Sequence, residues 1–297
     1  MMNDKTKVIG TGLTGLVGSR VKELTADVFD WTNLSRSNGV NISDKKSLEN
    51  AIIKDDSEVV IHFAAFTDLD EAEKQKNDKK ALCYQINVEG TRNIASVCAK
   101  TGKHLIYVST DAVFDGKENV LYTETDKPNP INWYGRTKWL GEQAVIDSGC
   151  KFTIIRIAYP FRTKFENKKD FVRKLLDKFS KGETLKMFSD TLFTLTYIDD
   201  ISGALETIIQ RKPSGIFHVV GSSTLSPFQA ATEIVRVFGF NSKLIIPINL
   251  SVYLATSFRP YPRWSGLSNE KLKAGLDVSM RTFSEAILEM KRQLSFN

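Results

Sequence analysis

The stretch Lys7-Val8-Ile9-Gly10-Thr11-Gly12-Leu13-Thr14-Gly15-Leu16-Val17-Gly18 constrains this chain more than any other. An apolar run over 7–10 reads as a strand, Gly12, Gly15 and Gly18 follow at a spacing of three, and a helical pattern runs over 16–24. Glycine permits a tight turn and a close backbone approach to a ligand. The helix start offers unpaired N–H groups and a favourable dipole to an anion. A strand, glycine turn and helix in that order predict the first βαβ unit of a dinucleotide-binding fold, with Gly12, Gly15, Leu16, Val17 and Gly18 against a pyrophosphate. A glycine-rich turn holding nothing is the alternative.

The alternation continues. Mostly apolar runs at 28–34, 59–64, 104–109 and 152–157 read as strands covered on both faces, separated by helical patterns at 47–53, 81–100 and 133–147. The fold class is therefore α/β, a doubly wound parallel Rossmann sheet over 1–158, completed by about 196–221. Residues 159–195 and 222–297 form a smaller C-terminal α/β lobe that holds substrate. In it a Lys-rich helix at 171–181 and a helix opened by Pro227 stand out, with an ordered loop over 259–263. Asp199 and Asp200 suit the first turn of a helix, and 216–220 reads as one more sheet strand.

Composition narrows the function classes. With 41% hydrophobic and 26% charged residues, and no apolar stretch near the roughly 20 residues that span a bilayer, the chain reads as a cytoplasmic protein without a membrane partner. Cys83, Cys98 and Cys150 lack CxxC spacing and read as buried thiols; with only His62, His104 and His218 beside them, no metal site is expected. The net charge of +6 is scattered, which argues against nucleic acid and suits dinucleotide or nucleotide-sugar phosphates.

Cofactor choice turns on the end of the second strand, where a carboxylate would bind ribose hydroxyls and a cation would accept a 2′-phosphate. Ser35 and Arg36 at that turn favour NADP; an earlier strand end would bring Asp30 there and favour NAD. Asn41 and Ile42, a little further on, are also assigned to the cofactor.

Tyr134 and Lys138 stand four residues apart, on one face of the helix that follows Pro128-Asn129-Pro130. An exposed helix pair would give the same spacing. The strand over 104–109, however, ends in Ser109-Thr110-Asp111 at the sheet's carboxyl edge, where ligands of open α/β sheets bind. A carbonyl that accepts hydride becomes an alkoxide and needs a proton donor within reach. Tyr134 supplies the proton, Lys138 lowers the phenol's pKa and holds the nicotinamide ribose, and Thr110 binds the reacting oxygen.

These residues, with Val59-Val60-Ile61-His62-Phe63-Ala64-Ala65, Tyr107-Val108-Ser109-Thr110-Asp111-Ala112-Val113-Phe114 and Tyr122-Thr123-Glu124, resemble the extended short-chain dehydrogenase/reductase superfamily, and within it the dTDP-4-dehydrorhamnose reductases. The resemblance implies an NAD(P)-dependent oxidoreductase of a nucleotide-linked 4-keto-sugar. It implies that Phe63, Ala64, Ala65 and Val108 line the cofactor, that Thr110, Asp111 and Tyr159 meet substrate, and that Asn87 steadies the active-site helix. Ala112 stands where the superfamily's dehydratases carry a Glu, which counts against dehydration. A nucleotide-sugar epimerase or dehydrogenase, and a non-catalytic dinucleotide-binding regulatory subunit, are the alternatives, and a homodimer is left open.

Overall fold

Side chains alternate between faces along a strand, so a sheet covered on both sides needs strands that are apolar at nearly every position. The computed structural model, which describes residues 5–117 and 119–295, shows such a sheet. Its strands are β1 (Thr6–Thr11), β2 (Phe29–Leu34), β3 (Val59–His62), β4 (His104–Thr110), β5 (Phe152–Ile157) and β6 (Gly215–His218). All pair in parallel, in the order β6-β5-β4-β3-β1-β2. The principal helices are α1 (Leu16–Leu24), α2 (Lys45–Lys54), α3 (Thr91–Thr101), α4 (Trp133–Ile146), α5 (Phe171–Ser180), α6 (Ile198–Arg211), α7 (Pro227–Phe238) and α8 (Phe283–Ser295).

Val8, Ile61, Ile106 and Ile155 pack on one face against Val21 of α1 and Ile201, Leu205 and Ile208 of α6. Ile9, Val60, Leu105, Tyr107 and Ile154 pack on the other against α2, α3 and α4. β2 and β3 flank β1 on opposite sides, so the chain reverses direction there and leaves a crevice at the carboxyl ends of β1 and β3. Strand limits fall within two residues of expectation across β1 to β5, and α1 and β5 coincide with it.

The helix expected over 81–100 is broken. A short turn at Leu82–Tyr84 leads into a π-helical turn, Gln85–Gly90, before α3 begins. The Thr91 hydroxyl donates to the Asn87 carbonyl at 2.8 Å inside that wider turn, and such insertions are frequent at functional sites.

The rest of the chain builds a second hydrophobic cluster, with Phe161, Phe179, Phe193, Ile234, Phe283 and Ile287 at its centre. Its strands are short, a three-stranded group of Leu192–Thr194, Thr224–Leu225 and Trp264–Ser265 and two further pairs, and sequence reading did not anticipate most of them. α8 and the helix Glu270–Leu276 were also unanticipated; Leu272 and Leu276 of the latter pack with the main sheet. Cys83, Cys98 and Cys150 are buried free thiols, as expected. Among the described residues no helix is long and apolar enough to cross a membrane.

Candidate active site

A cavity of about 970 Å³ lies at the carboxyl ends of the first five strands, bounded on its other side by Phe165, Phe171, Arg259, Tyr261 and Pro262. Gly12, Gly15, Leu16, Val17, Gly18, Ser35, Arg36, Ile42, Phe63, Ala64, Ala65 and Val108 line it, as do Thr110, Asp111, Tyr134, Lys138 and Tyr159. Asn41 alone of the expected residues does not, and its carboxamide oxygen instead accepts the Ser43 N–H at 3.1 Å. Residues of the lobe had no motif to mark them, so Phe165, Asn167, Lys168, Asp170 and Phe171 were missed. The expected loop does contribute, through Arg259, Tyr261 and Pro262.

At the glycine turn the backbone of Gly12 has φ of +71°, and a Cβ there would stand 2.6 Å from the Ala64 nitrogen. No side chain fits, so the turn presents bare backbone to the cavity. β2 runs through Leu34, which puts Ser35 and Arg36 at its cavity end; Asp30 lies near its start, beside Lys7, and cannot serve the ribose. Among the described residues the Arg36 guanidinium makes no hydrogen bond or ion pair, so it is free for an external anion.

α4 carries Tyr134 and Lys138. Asn132 caps it, accepting the Gly135 N–H at 2.8 Å, and a Cβ on Gly135 would lie 2.0 Å from the Ala112 carbonyl oxygen. Glycine therefore lets the helix start sit directly on the turn that carries Thr110 and Asp111. Asn87 fixes the helix from the other side. Its carboxamide accepts the Phe66 N–H at 2.8 Å and donates to the Thr137 hydroxyl at 3.0 Å, the steadying role the family resemblance implies.

The electrostatics depart from expectation in one respect. Burial rather than Lys138 dominates the Tyr134 phenol, while the Lys138 ammonium donates to the Val108 carbonyl at 2.7 Å and lies 4.2 Å from the centre of the Tyr107 ring. Burial, then the nearby Asp111 carboxyl, push the Tyr134 phenol above its ordinary range, against a hydrogen bond with Thr110 that pulls it back. Burial also pushes Lys138 down to about 7 and Asp111 up to about 6. The phenol thus keeps its proton at neutral pH, the state a donor needs.

His62, fully buried, bridges the Thr11 and Thr91 hydroxyls at 2.7 and 3.1 Å, and burial holds it neutral with a pKa of about 3. It braces the floor beneath the glycine turn. Tyr159 faces the cavity with φ of +37°, a left-handed conformation costly for an aromatic residue, and its hydroxyl lies 3.1 Å from that of Tyr261.

The protein family described as the RmlD substrate binding domain matches residues 6–296. A dTDP-4-dehydrorhamnose reductase of Sinorhizobium fredii is 31% identical, the match covering 77% of this chain and 77% of that one. The methionine adenosyltransferase 2 subunit beta of Mus musculus is 29% identical over 93% of this chain and 84% of its own. Among solved structures, a dTDP-4-dehydrorhamnose reductase from Bacillus anthracis in complex with NADP superposes with a TM-score of 0.88 at 26% identity, covering 97% of this chain and 99% of that one.

Proposed function

The chain belongs to the RmlD substrate-binding-domain family, and on that footing we propose that it is an NADPH-dependent reductase of a dTDP-linked 4-keto-6-deoxy sugar. The observation that carries the reading is the convergence of Thr110, Tyr134 and Lys138 on one cavity whose far end is the bare glycine turn. The reduced nicotinamide, when bound, supplies the hydride. Gly12 and Gly15 hold the pyrophosphate by their backbone, and Arg36 takes the 2′-phosphate, which makes NADP the preferred cofactor.

Tyr134 gives its phenolic proton to the carbonyl oxygen as that oxygen gains negative charge, and Thr110 orients the same oxygen by a hydrogen bond. Lys138 holds the ribose and, as a cation beside the phenolate left behind, favours the proton's departure. Asp111, Tyr159 and Tyr261 contact the sugar. The lobe formed by 159–195 and 222–297 places it, with Lys168 and Arg259 as cations for its diphosphate. Ala112, in place of a carboxylate base, supports reduction over dehydration.

NADPH oxidation with dTDP-4-keto-6-deoxyglucose tests the proposal. Stoichiometric consumption is expected, and an enzyme that interconverts sugars without consuming NADPH would be an epimerase. The name of the mouse relative favours a second reading, a subunit of another enzyme. Tyr134→Phe separates the two, since a binding subunit would work as well without the phenol's proton.

A further inference from the structure

Glu142 and Arg156 form the most deeply buried ion pair among the described residues, each side chain 1% exposed. The guanidinium grips the carboxylate as a fork, Nε to Oε1 at 2.9 Å and Nη2 to Oε2 at 2.7 Å, and lies 5.0 Å from the centre of the Phe114 ring. Nothing in the reaction uses either group directly.

Their surroundings give the pair a role. Glu142 stands one turn beyond Lys138 on α4, so the two side chains leave the same face. Lys138 reaches the Val108 carbonyl at 2.7 Å, and Glu142 Oε1 accepts the hydroxyl of the next residue, Ser109, at 2.5 Å. The residue after that is Thr110. Two points on one helix are thereby pinned to two consecutive residues of β4, which restrains both sliding and rotation of α4 at the place where its phenol meets the Thr110 hydroxyl.

Stability does not call for such a pair, because apolar side chains of similar size are often as stable or more so than a buried salt bridge. An apolar pair, however, offers Ser109 no directional acceptor. We infer that Glu142 is a positioning residue, held by Arg156 and gripping Ser109 so that Thr110, Tyr134 and Lys138 meet in reactive geometry; this rests on the reductase reading of those three groups. The Glu142 carboxylate also opposes the effect of burial on Lys138, favouring its charged form.

Two variants test the inference, with Tyr134→Phe alongside. Ser109→Ala keeps the ion pair and removes only the grip, while Glu142→Met with Arg156→Met removes the pair without leaving a lone buried charge. Turnover is normalised to NADPH-binding sites, so that misfolded protein does not count. Both variants should bind NADPH and show a KM for the keto-sugar within two-fold of the parent, with kcat lower by on the order of 10-fold, the scale of a small misplacement of reacting groups. A kcat within two-fold of the parent in Ser109→Ala overturns the inference, as does a loss confined to KM. Should the double variant fail to fold, Ser109→Ala decides alone. A Tyr134→Phe protein as active as its parent defeats the reductase reading itself, and the inference falls with it.

Discussion

The reacting groups that the parallel sheet brings to the cavity are seated by buried strand backbone and several helix-start contacts, whereas Tyr261 and Arg259 of the C-terminal lobe each have one side-chain hydrogen bond among the described residues. Lys138 is 2% exposed and bonded to the β4 backbone, and its helix is seated by Asn87, Asn132 and Gly135. Across the cavity, Tyr261 has the Tyr159 hydroxyl, and Arg259 reaches over to Asp70 at 2.7 Å. Proton and hydride transfer tolerate little displacement, so the reacting groups sit on rigid elements. Recognition of a sugar can be adjusted side chain by side chain, which suits a lobe of short strands and loops.

The sharpest way to break this comparison is Tyr134→Phe, expected to cost 10²–10⁴-fold in kcat with substrate KM little changed, as for a lost general acid. Steady-state kinetics check it. A smaller loss than any lobe substitution causes would mean the chemistry does not sit on the sheet.

Next in size is Asp111→Asn. The folded Asp111 carboxyl, raised to about 6 by burial, favours the protonated form, so its contribution to stability is present below the unfolded pKa near 4 and is lost as pH rises through about 6. Asparagine does not titrate and keeps the oxygen that accepts from Thr110. The variant should therefore be more stable than its parent above pH 6, by on the order of 3 kcal/mol, with no gain near pH 4. Thermal unfolding across that range measures it, and a pH-independent difference would show that the carboxyl is not held in this way.

Arg36→Ala should weaken NADPH binding by about 10-fold or somewhat more, the worth of a charge-assisted hydrogen bond, and leave NADH binding as it was. Titration with both cofactors checks it; an equal loss for both would remove the 2′-phosphate from the account. The smallest effect belongs to the lobe. Tyr261→Phe deletes one hydroxyl paired with Tyr159 and should raise the keto-sugar KM by no more than about 10-fold at constant kcat. A fall in kcat instead would sharpen the comparison by showing that this lobe residue, too, sets the reacting geometry.

The sheet half was legible because its signals are local and repeated. An apolar run ending in glycines, a Ser-Thr-Asp strand end and a Tyr–Lys helix each fall where the local pattern put them, and seventeen of the eighteen positions assigned to cofactor or substrate, the three catalytic groups among them, line one cavity. The π-helical turn escaped notice because it changes hydrogen bonding without changing apolar periodicity. Phe165, Asn167, Lys168 and Asp170 escaped because they lie in an irregular segment whose composition resembles any polar loop.

Taken by itself, the amino-acid order determined the alternation of strands and helices, the glycine turn and the residue types able to move a proton. Each of these depends on neighbours within a few positions. Tertiary structure alone decided that Arg36 rather than Asp30 reaches the cavity, that burial rather than Lys138 governs the Tyr134 phenol, and that Glu142 is joined to Ser109 and Arg156. Those outcomes depend on which groups distant in the chain are brought together and how much water they lose, and neither quantity is written in local spacing.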